Sequence, residues 1–411
     1  MAGTPKKTTP KKAALKHAVP PKPAVVKKPA TGQHTAGRTA GILGALVGLA
    51  AAGTAVGVTV SRIATRRVRA GELRPSGPSA AELREDNPLG AASRPADRTA
   101  VVEADDGVQL SVEEIGPRDA PLTVVFVHGY TLSMASWAFQ RRTLAAELAT
   151  ANGHRPGARL VFYDQRGHGS SGRGVPERST IEQLASDLDA VLEARAPHGP
   201  VVLVGHSMGG MTVMGLAALR PDRFGTRVTA VALISTSSGN LAELSFGLPD
   251  LLTRVRAAFF PVAAWTMRRR PALAERTRQV AADLVSVVTR MLSFASSDVD
   301  PALTHYVDAM IAGTPVDVIA EFYPALAGLD QTGSLEPLRR IPTLVITGDR
   351  DRMIPKEHSE LIVEQLPEAE FVIVPDAGHM VLLEKPAEVS AAVTALLRRV
   401  AAERTAGATG S

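Results

Sequence analysis

The sequence predicts an α/β protein built on one mostly parallel sheet, with helices packed on both faces. Eight short apolar segments recur after about residue 99, and from the third onward they are apolar without interruption. Continuous apolar runs are typical of strands that are buried on both faces. Segments with helical periodicity separate most of these runs, and such alternation is typical of a doubly wound sheet.

The elements follow in order along the chain. The first two apolar runs flank Asp105-Asp106-Gly107, a hairpin signal that predicts an antiparallel first pair of strands. The predicted strands cover residues 99–104, 108–115, 122–128, 158–164, 200–206, 228–235, 342–348 and 369–375. The predicted helices of the core cover residues 137–150, 180–195, 208–219, 356–366 and 386–402.

One interval breaks this alternation. Between Ile234 and Thr343 the chain shows helical patterns and no clear strand, which predicts a helical cap inserted after the sixth strand. A cap must close over the sheet, so we expect it to line an apolar pocket. The resulting division is a linker of residues 61–98, a core of residues 99–239 and 339–402, a cap of residues 240–338 and a disordered C-terminal tail of residues 403–411.

The composition limits the chemistry that is open to the protein. The chain has 411 residues, of which 45% are hydrophobic, so it is long enough to bury a large core. It contains no cysteine, which excludes a disulfide framework, a cysteine nucleophile and a cysteine-ligated zinc site. Any covalent catalysis must therefore use another nucleophile.

Positive charge is concentrated at the N-terminus. Residues 1–38 carry eight lysines and one arginine with no acidic residue, and their low apolar content predicts a disordered basic tail. We interpret it as a solvated tail at a membrane surface because of the segment that follows, with a nucleic-acid-binding tail as the alternative. From residue 70 onward acidic residues outnumber basic ones, so no nucleic-acid partner is expected for the body of the protein.

An uncharged stretch, Thr39–Val60, follows the tail. Its 22 residues would span about 33 Å as a helix, enough to cross a bilayer core once. We expect an uncleaved single-pass membrane anchor, with a cleaved signal peptide as the alternative, and the side of the membrane stays open. Two small-residue pairs, Gly44/Gly48 and Gly53/Gly57, are candidates for helix-mediated self-association.

The segment Gly205-His206-Ser207-Met208-Gly209 stands directly between a predicted strand and a predicted helix. A tight strand–turn–helix of this kind holds a serine hydroxyl clear of the sheet, and the helix N-terminus favours developing negative charge. Ser207 is therefore the candidate nucleophile. A serine is a poor nucleophile on its own, so the site also needs a base and an acid that orients the base.

The acid and the base are expected to follow the last two core strands, in that order. His379 follows the last strand and is the candidate base, while Asp349 and Asp351 both follow the strand before it and are candidates for the acid. Ester hydrolysis also needs donors for the oxyanion. The backbone amides of Tyr130, after the third strand, and of Met208 are the candidates.

Five motifs stand in one order along the chain: HGY with Trp137 downstream, YDQRGHGSSG (163–172), GHSMGG (205–210), GDRDRMIP (348–355) and AGHMVLLEKP (377–386). In these motifs the chain from about 99 to 402 resembles the α/β-hydrolase superfamily. The resemblance is to its serine esterase and lipase branch, with monoacylglycerol-lipase-like and bacterial carboxylesterase members. In that family the acid usually stands a few residues before an Ile-Pro or Val-Pro dipeptide, which points to Asp351 over Asp349.

Together with the anchor, the resemblance implies a membrane-anchored serine hydrolase that cleaves acyl esters of a small molecule or a lipid, with no cofactor and no metal. It excludes members of the fold that use aspartate as nucleophile, because Ser207 stands at that position. It also implies structural roles for Asp164, Arg166 and Gly167. Perhydrolase or haloperoxidase, thioester and C–C bond chemistry stay open, as does a ligand-binding protein without turnover.

Overall fold

The computed structural model describes residues 94–149, 157–241, 292–296 and 298–409, together with Met1 and Gly3. The chain divides into two units, Met1–Leu73 and Arg74–Ser411, and the sheet belongs to the second. Most of the predicted N-terminal region lies outside the described residues: the basic tail apart from Met1 and Gly3, the anchor Thr39–Val60 with its glycine pairs, and nearly all of the linker. Residues 242–291 of the predicted cap also lie outside them. Within the described ranges, no helix is long and apolar enough to cross a membrane.

Eight strands form one sheet in the described part of the chain. They are β1 (Arg98–Glu103), β2 (Gln109–Ile115), β3 (Thr123–Val127), β4 (Arg159–Tyr163), β5 (Val201–His206), β6 (Val228–Ile234), β7 (Thr343–Gly348) and β8 (Glu370–Val374). Their order in the sheet is β1-β2-β4-β3-β5-β6-β7-β8. The β1–β2 and β2–β4 pairs are antiparallel and the other pairs are parallel. The predicted eight-stranded, mostly parallel sheet is confirmed.

The helices of the described ranges are α1 (Ala138–Ala149), α2 (Ile181–Arg195), α3 (Met208–Leu219), α4 (Pro301–Gly313), α5 (Val316–Ala327), α6 (Lys356–Gln365), α7 (Val381–Glu384) and α8 (Pro386–Thr409). α8 extends to Thr409, so the helix runs into the stretch 403–411 for which the sequence predicts a disordered tail. Glu403, Arg404 and Ala406 have high helical propensity, and they lie beyond the predicted end of the helix at residue 402.

The two faces of the sheet bury separate apolar clusters. In β3, Val125 and Val127 share a cluster with Leu184 of α2, whereas Phe126 belongs to the opposite cluster with Leu396 of α8. Alternate residues of one strand thus serve opposite faces. Every residue of β3, β4, β5 and β7 is buried, which accounts for the uninterrupted apolar runs and shows that helices cover both faces.

Part of the predicted cap is described between β6 and β7. Gly239, just after β6, forms an isolated antiparallel bridge with Asp330, just after α5, so the interval leaves and rejoins the core at one place. Since β3, β5, β7 and β8 run parallel, their carboxyl ends meet at one edge of the sheet. Four candidate residues follow those ends and lie at this edge: Tyr130, Ser207, Asp351 and His379.

Candidate active site

Ser207 is the residue that joins β5 to α3. Its backbone has φ 54° and ψ −120°, a region that residues other than glycine seldom occupy and that costs about 1–3 kcal/mol. Hydrogen bonds hold the turn, from Ser207 N to Ile234 O at 2.9 Å and from Thr236 Oγ1 to Ser207 O at 2.7 Å. The local sequence therefore folds into the predicted strand–turn–helix, and Ser207 carries its strain.

Glycines on either side make this turn sterically feasible. A Cβ at Gly205 would lie 2.6 Å from the Gly209 carbonyl oxygen, and one at Gly209 would lie 2.1 Å from the Val127 carbonyl oxygen. Both distances are far shorter than a carbon–oxygen contact allows. α3 can therefore begin directly against β3 only because the positions two residues before and two residues after Ser207 have no side chain.

Asp351 and His379 form a buried pair. The His379 Nδ1 atom lies 2.9 Å from Asp351 Oδ2, and the two side chains are 4% and 0% exposed. The other carboxylate oxygen, Oδ1, accepts hydrogen bonds from Met353 N and Ile354 N at 2.9 and 2.8 Å. Since a carboxylate can only accept, Nδ1 of His379 carries the proton and Nε2 keeps the lone pair that a base needs.

Asp349 takes a different place in the same loop. Its side chain is exposed, and its Oδ1 accepts a hydrogen bond from Ala377 N at 3.3 Å. Asp349 thus braces the backbone shortly before His379 instead of meeting the imidazole. Of the two candidate acids, the structure brings Asp351 to the histidine.

The loop that carries His379 is fastened to the turn that carries Ser207. His206, the residue before Ser207, has its Nε2 3.0 Å from the His379 carbonyl oxygen, and the centroids of the two imidazole rings are 4.9 Å apart. Burial lowers the pKa of His206 well below its ordinary value, so the ring is neutral and its Nε2–H is the donor. The backbone at His379 is therefore bonded to the residue that precedes Ser207.

The turn after β3 lies against Ser207. A Cβ at Gly129 would be 3.1 Å from Ser207 Cβ, so the backbone approaches the candidate nucleophile closely. Leu132 N donates to Gly129 O at 3.2 Å, which closes a turn whose second residue is Tyr130. Among the residues that the structure describes, no acceptor takes the amide N–H of Tyr130 or of Met208. Both amides are therefore free to donate to a ligand.

His128 holds this turn to the loop after β4. Its Nε2 accepts a hydrogen bond from Gln165 N at 2.9 Å, and its Nδ1 lies 2.8 Å from Gly129 O. Burial lowers the pKa of His128 to about 4, so the ring is neutral with its proton on Nδ1. Gln165 also donates to His128 O at 2.7 Å and accepts from Thr212 Oγ1 at 2.8 Å, which ties both loops to α3.

Charged residues of the YDQRGHGSSG motif are internally paired. Arg166 is buried and donates to both Asp187 oxygens at 2.6 Å and to Asp106 at 2.8 Å. Burial raises the pKa of Asp187, and the bonds from Arg166 act against that rise. Asp164 accepts a hydrogen bond from Met134 N at 2.7 Å. Each of these charges has a partner within the fold, so the residues shape the loop beside the site.

Glu384 makes contacts that the sequence did not reveal. Its Oε2 accepts from Gly378 N at 2.5 Å and its Oε1 accepts from Ala295 N at 2.9 Å. Glu384 thus joins the residue before His379 to a segment of the cap interval, and burial raises its pKa. In the sequence, Glu384 stands out only as part of the AGHMVLLEKP motif. The motif does not indicate that its carboxylate binds the amides of Gly378 and Ala295.

The site combines a serine on a strained turn, a histidine with a free basic nitrogen and two amide donors. Such a set suits acyl transfer, in which a carbonyl carbon is attacked and its oxygen becomes negative. In the described part of the chain, no group of three or more His, Asp or Glu residues is placed to hold a metal ion.

Comparison with known proteins agrees with this fold. The family described as alpha/beta hydrolase fold matches residues 123–386, so the chain belongs to that family. The resemblance to its esterase and lipase branch, inferred from five motifs, is confirmed by the relatives.

One relative is the dihydrolipoyllysine-residue acetyltransferase component of an acetoin cleaving system from Pseudomonas putida. It is 29% identical over 286 residues, which are 67% of this chain and 63% of that protein. This chain thus spans less than two thirds of that relative. The sn-1-specific diacylglycerol lipase ABHD11 from Mus musculus is 29% identical over 68% of this chain and 82% of its own. A solved thermophilic esterase from Thermogutta terrifontis is 27% identical, with a TM-score of 0.55 over 74% of this chain and 99% of that chain.

Proposed function

We propose that the protein is a serine hydrolase that cleaves carboxylic (acyl) esters through Ser207, His379 and Asp351. The observation that carries the proposal is the buried 2.9 Å contact between His379 Nδ1 and Asp351 Oδ2, on a loop that is bonded to the residue before Ser207. The pair leaves one basic nitrogen on an imidazole that is held beside the strained serine turn.

In the acylation half-reaction, Ser207 Oγ forms a bond to the ester carbonyl carbon as His379 Nε2 takes the hydroxyl proton. Asp351 stabilises the imidazolium through Nδ1–H. The N–H groups of Tyr130 and Met208 donate to the carbonyl oxygen as it becomes negative. When the tetrahedral intermediate collapses, the bond to the alkoxy oxygen breaks and His379 gives its proton to the leaving alcohol.

In the deacylation half-reaction, a water molecule attacks the acyl group on Ser207 while His379 takes a proton from that water. The second tetrahedral intermediate collapses by breaking its bond to Ser207 Oγ. His379 returns the proton to the serine, and the carboxylic acid leaves. The balance is one ester and one water converted into one alcohol and one acid, with the protein restored.

The relatives support an acyl ester as the substrate class. One of them is a diacylglycerol lipase and the solved neighbour is an esterase. The acetyltransferase component extends well beyond the matched part, which is 63% of its length, so it does not indicate a substrate for this chain. A nucleophilic serine with oxyanion donors would also accept a thioester, and the preference for esters therefore rests on the relatives.

Purified full-length protein is expected to hydrolyse p-nitrophenyl esters and to be labelled on Ser207 by a fluorophosphonate, because both reactions need an activated serine. Release of p-nitrophenolate across acyl groups from acetyl to palmitoyl gives the chain-length preference. Peptide mass spectrometry identifies the labelled residue. A protein that is neither active nor labelled would be a ligand-binding member of the fold, and a label on another serine would contradict the proposed site.

We also propose that Thr39–Val60 anchors the protein in a membrane as a single-pass helix, on the strength of its uncharged length. Full-length protein and a variant lacking residues 1–38 are both expected to stay in the membrane fraction after alkaline carbonate washing. A variant lacking residues 1–70 is expected in the soluble fraction. Release of full-length protein, shown by intact mass to be uncleaved, would contradict the anchor.

A further inference from the structure

The turn that presents the Tyr130 amide is strained. Its third residue, Thr131, has φ 60°, and a turn with positive φ at that position usually has glycine there. A β-branched residue with positive φ is an outlier. Such a conformation persists only where the surrounding contacts hold it, so the contacts around Gly129–Leu132 decide whether the amide keeps its direction.

Two of those contacts come from the cap interval. The Tyr130 hydroxyl donates to the carbonyl oxygen of Ile319 in α5, and burial raises the pKa of Tyr130, so the hydroxyl stays protonated. Thr314 Oγ1, between α4 and α5, donates to Thr131 O at 3.2 Å. Both central residues of the turn are thus bonded to the cap.

The position of α5 is itself fixed by close packing. Gly167 has φ 75°, and a Cβ there would lie 2.7 Å from Val318 Cγ1. The ring of Phe322 is 5.6 Å from the ring of His168, which is 6.3 Å from the ring of Tyr130. One face of α5 therefore packs on the loop after β4, directly beside Tyr130, and this contact fixes where the Ile319 carbonyl stands.

We propose that the Tyr130 hydroxyl is a positioning group for the oxyanion donors: by bonding to α5 of the cap it fixes the backbone amide of its own residue. The inference rests on the proposed function, since an oxyanion is what needs that amide in place. It links the cap to the chemistry, because a displacement of α5 would release the turn and weaken the stabilisation of the negative oxygen.

Tyr130→Phe in the full-length protein tests the proposal, because it removes the hydroxyl and keeps the amide. We expect kcat to fall about tenfold, less than the 10²–10³-fold that loss of a donor costs, with KM within about twofold of the wild-type value. The inhibition constant of an alkyl boronic acid should rise by about the same tenfold factor. Its tetrahedral adduct on Ser207 needs the same donors, and an inhibition constant does not depend on the fraction of active protein.

Tyr306→Phe is the matched control. The Tyr306 hydroxyl donates to Ala135 O at 2.8 Å, so it also joins the cap to the stretch after β3, but beyond the strained turn. We expect Tyr306→Phe to leave kcat and the boronic acid constant unchanged. Thr314→Val, which removes the second bond to the turn, should shift both values in the same direction as Tyr130→Phe.

Three results would overturn the inference. Tyr130→Phe could match the wild type in kcat and in boronic acid inhibition, or Tyr306→Phe could show an equal loss. Tyr130→Phe could also lose active-site titre with the inhibition constant unchanged, which would mean a role in stability alone. The wild-type protein is assayed first. If it neither cleaves esters nor reacts with a fluorophosphonate, the proposed function is wrong and the inference about Tyr130 is wrong with it.

Discussion

Ser207→Ala and His379→Ala are each expected to lower ester turnover by about 10³-fold or more while the fold is retained. Without Oγ no acyl intermediate forms, and without the imidazole nothing takes the proton from the hydroxyl. The double variant should be little worse than either single variant, because the two groups act in one step. Turnover of a p-nitrophenyl ester gives the measurement, and circular dichroism with the thermal midpoint checks the fold.

Ser237→Ala is a matched control for the nucleophile. Ser237 Oγ lies 2.8 Å from His358 Nδ1, so Ser237 is a buried serine in contact with a histidine. However, the Ser237 hydroxyl also exchanges hydrogen bonds with the backbone of Gly239, and no helix begins at the next residue. Ser237→Ala should therefore keep most of the activity. Suppose that Ser207→Ala keeps a tenth or more of wild-type turnover while Ser237→Ala loses it. That result would reject Ser207 as the nucleophile.

The central strands were predictable because burial on both faces makes them mostly apolar, with buried polar residues such as Thr123, Arg159 and His206 confined to their ends. β3, β4, β5 and β7 are buried along their whole length, and their sequences are correspondingly apolar. The order of strands in the sheet was not predictable in the same way. β4 lies between β2 and β3, and the apolar pattern of a strand says which faces are covered but not which neighbour it pairs with.

The candidate nucleophile and base were predictable because each stands at a fixed place after a strand. The acid was harder from the residues alone, because Asp349 and Asp351 follow β7 by nearly the same distance. What separates them is the backbone of the loop, whose Met353 and Ile354 amides turn the Asp351 carboxylate toward His379. Hydrogen bonds from backbone amides leave no trace in residue identity.

The contacts of Tyr130 and Glu384 could not be predicted from the sequence, for a related reason. The hydroxyl of Tyr130 bonds to a carbonyl oxygen in α5, and Glu384 bonds to two amides. Any residue at those partner positions supplies the same backbone atoms. Only the three-dimensional approach of distant segments identifies such partners, so the pattern of side chains along the chain could not indicate them.

Asp351→Asn is expected to lower kcat by about 10⁴-fold. Because Oδ1 of Asp351 accepts the amides of Met353 and Ile354, an asparagine must keep its carbonyl oxygen there and turn its NH₂ group toward His379. The opposite rotamer would set NH₂ against two N–H donors. An NH₂ group only donates, so the imidazole must accept at Nδ1 and carry its proton on Nε2. The lone pair that would take the serine proton is then lost.

Asp349→Asn makes the same chemical change in the same loop and is the matched comparison. Asp349 is exposed and accepts one hydrogen bond, from Ala377 N at 3.3 Å, which an amide oxygen can also accept. Its kcat should therefore stay within about twofold of the wild-type value, because the substitution removes no contact with His379 or Ser207. Both variants keep their backbone bonds, so both should keep the wild-type thermal midpoint. If Asp349→Asn were inactive and Asp351→Asn active, the acid would be Asp349. That result would contradict the assignment made from the contact between Asp351 and His379.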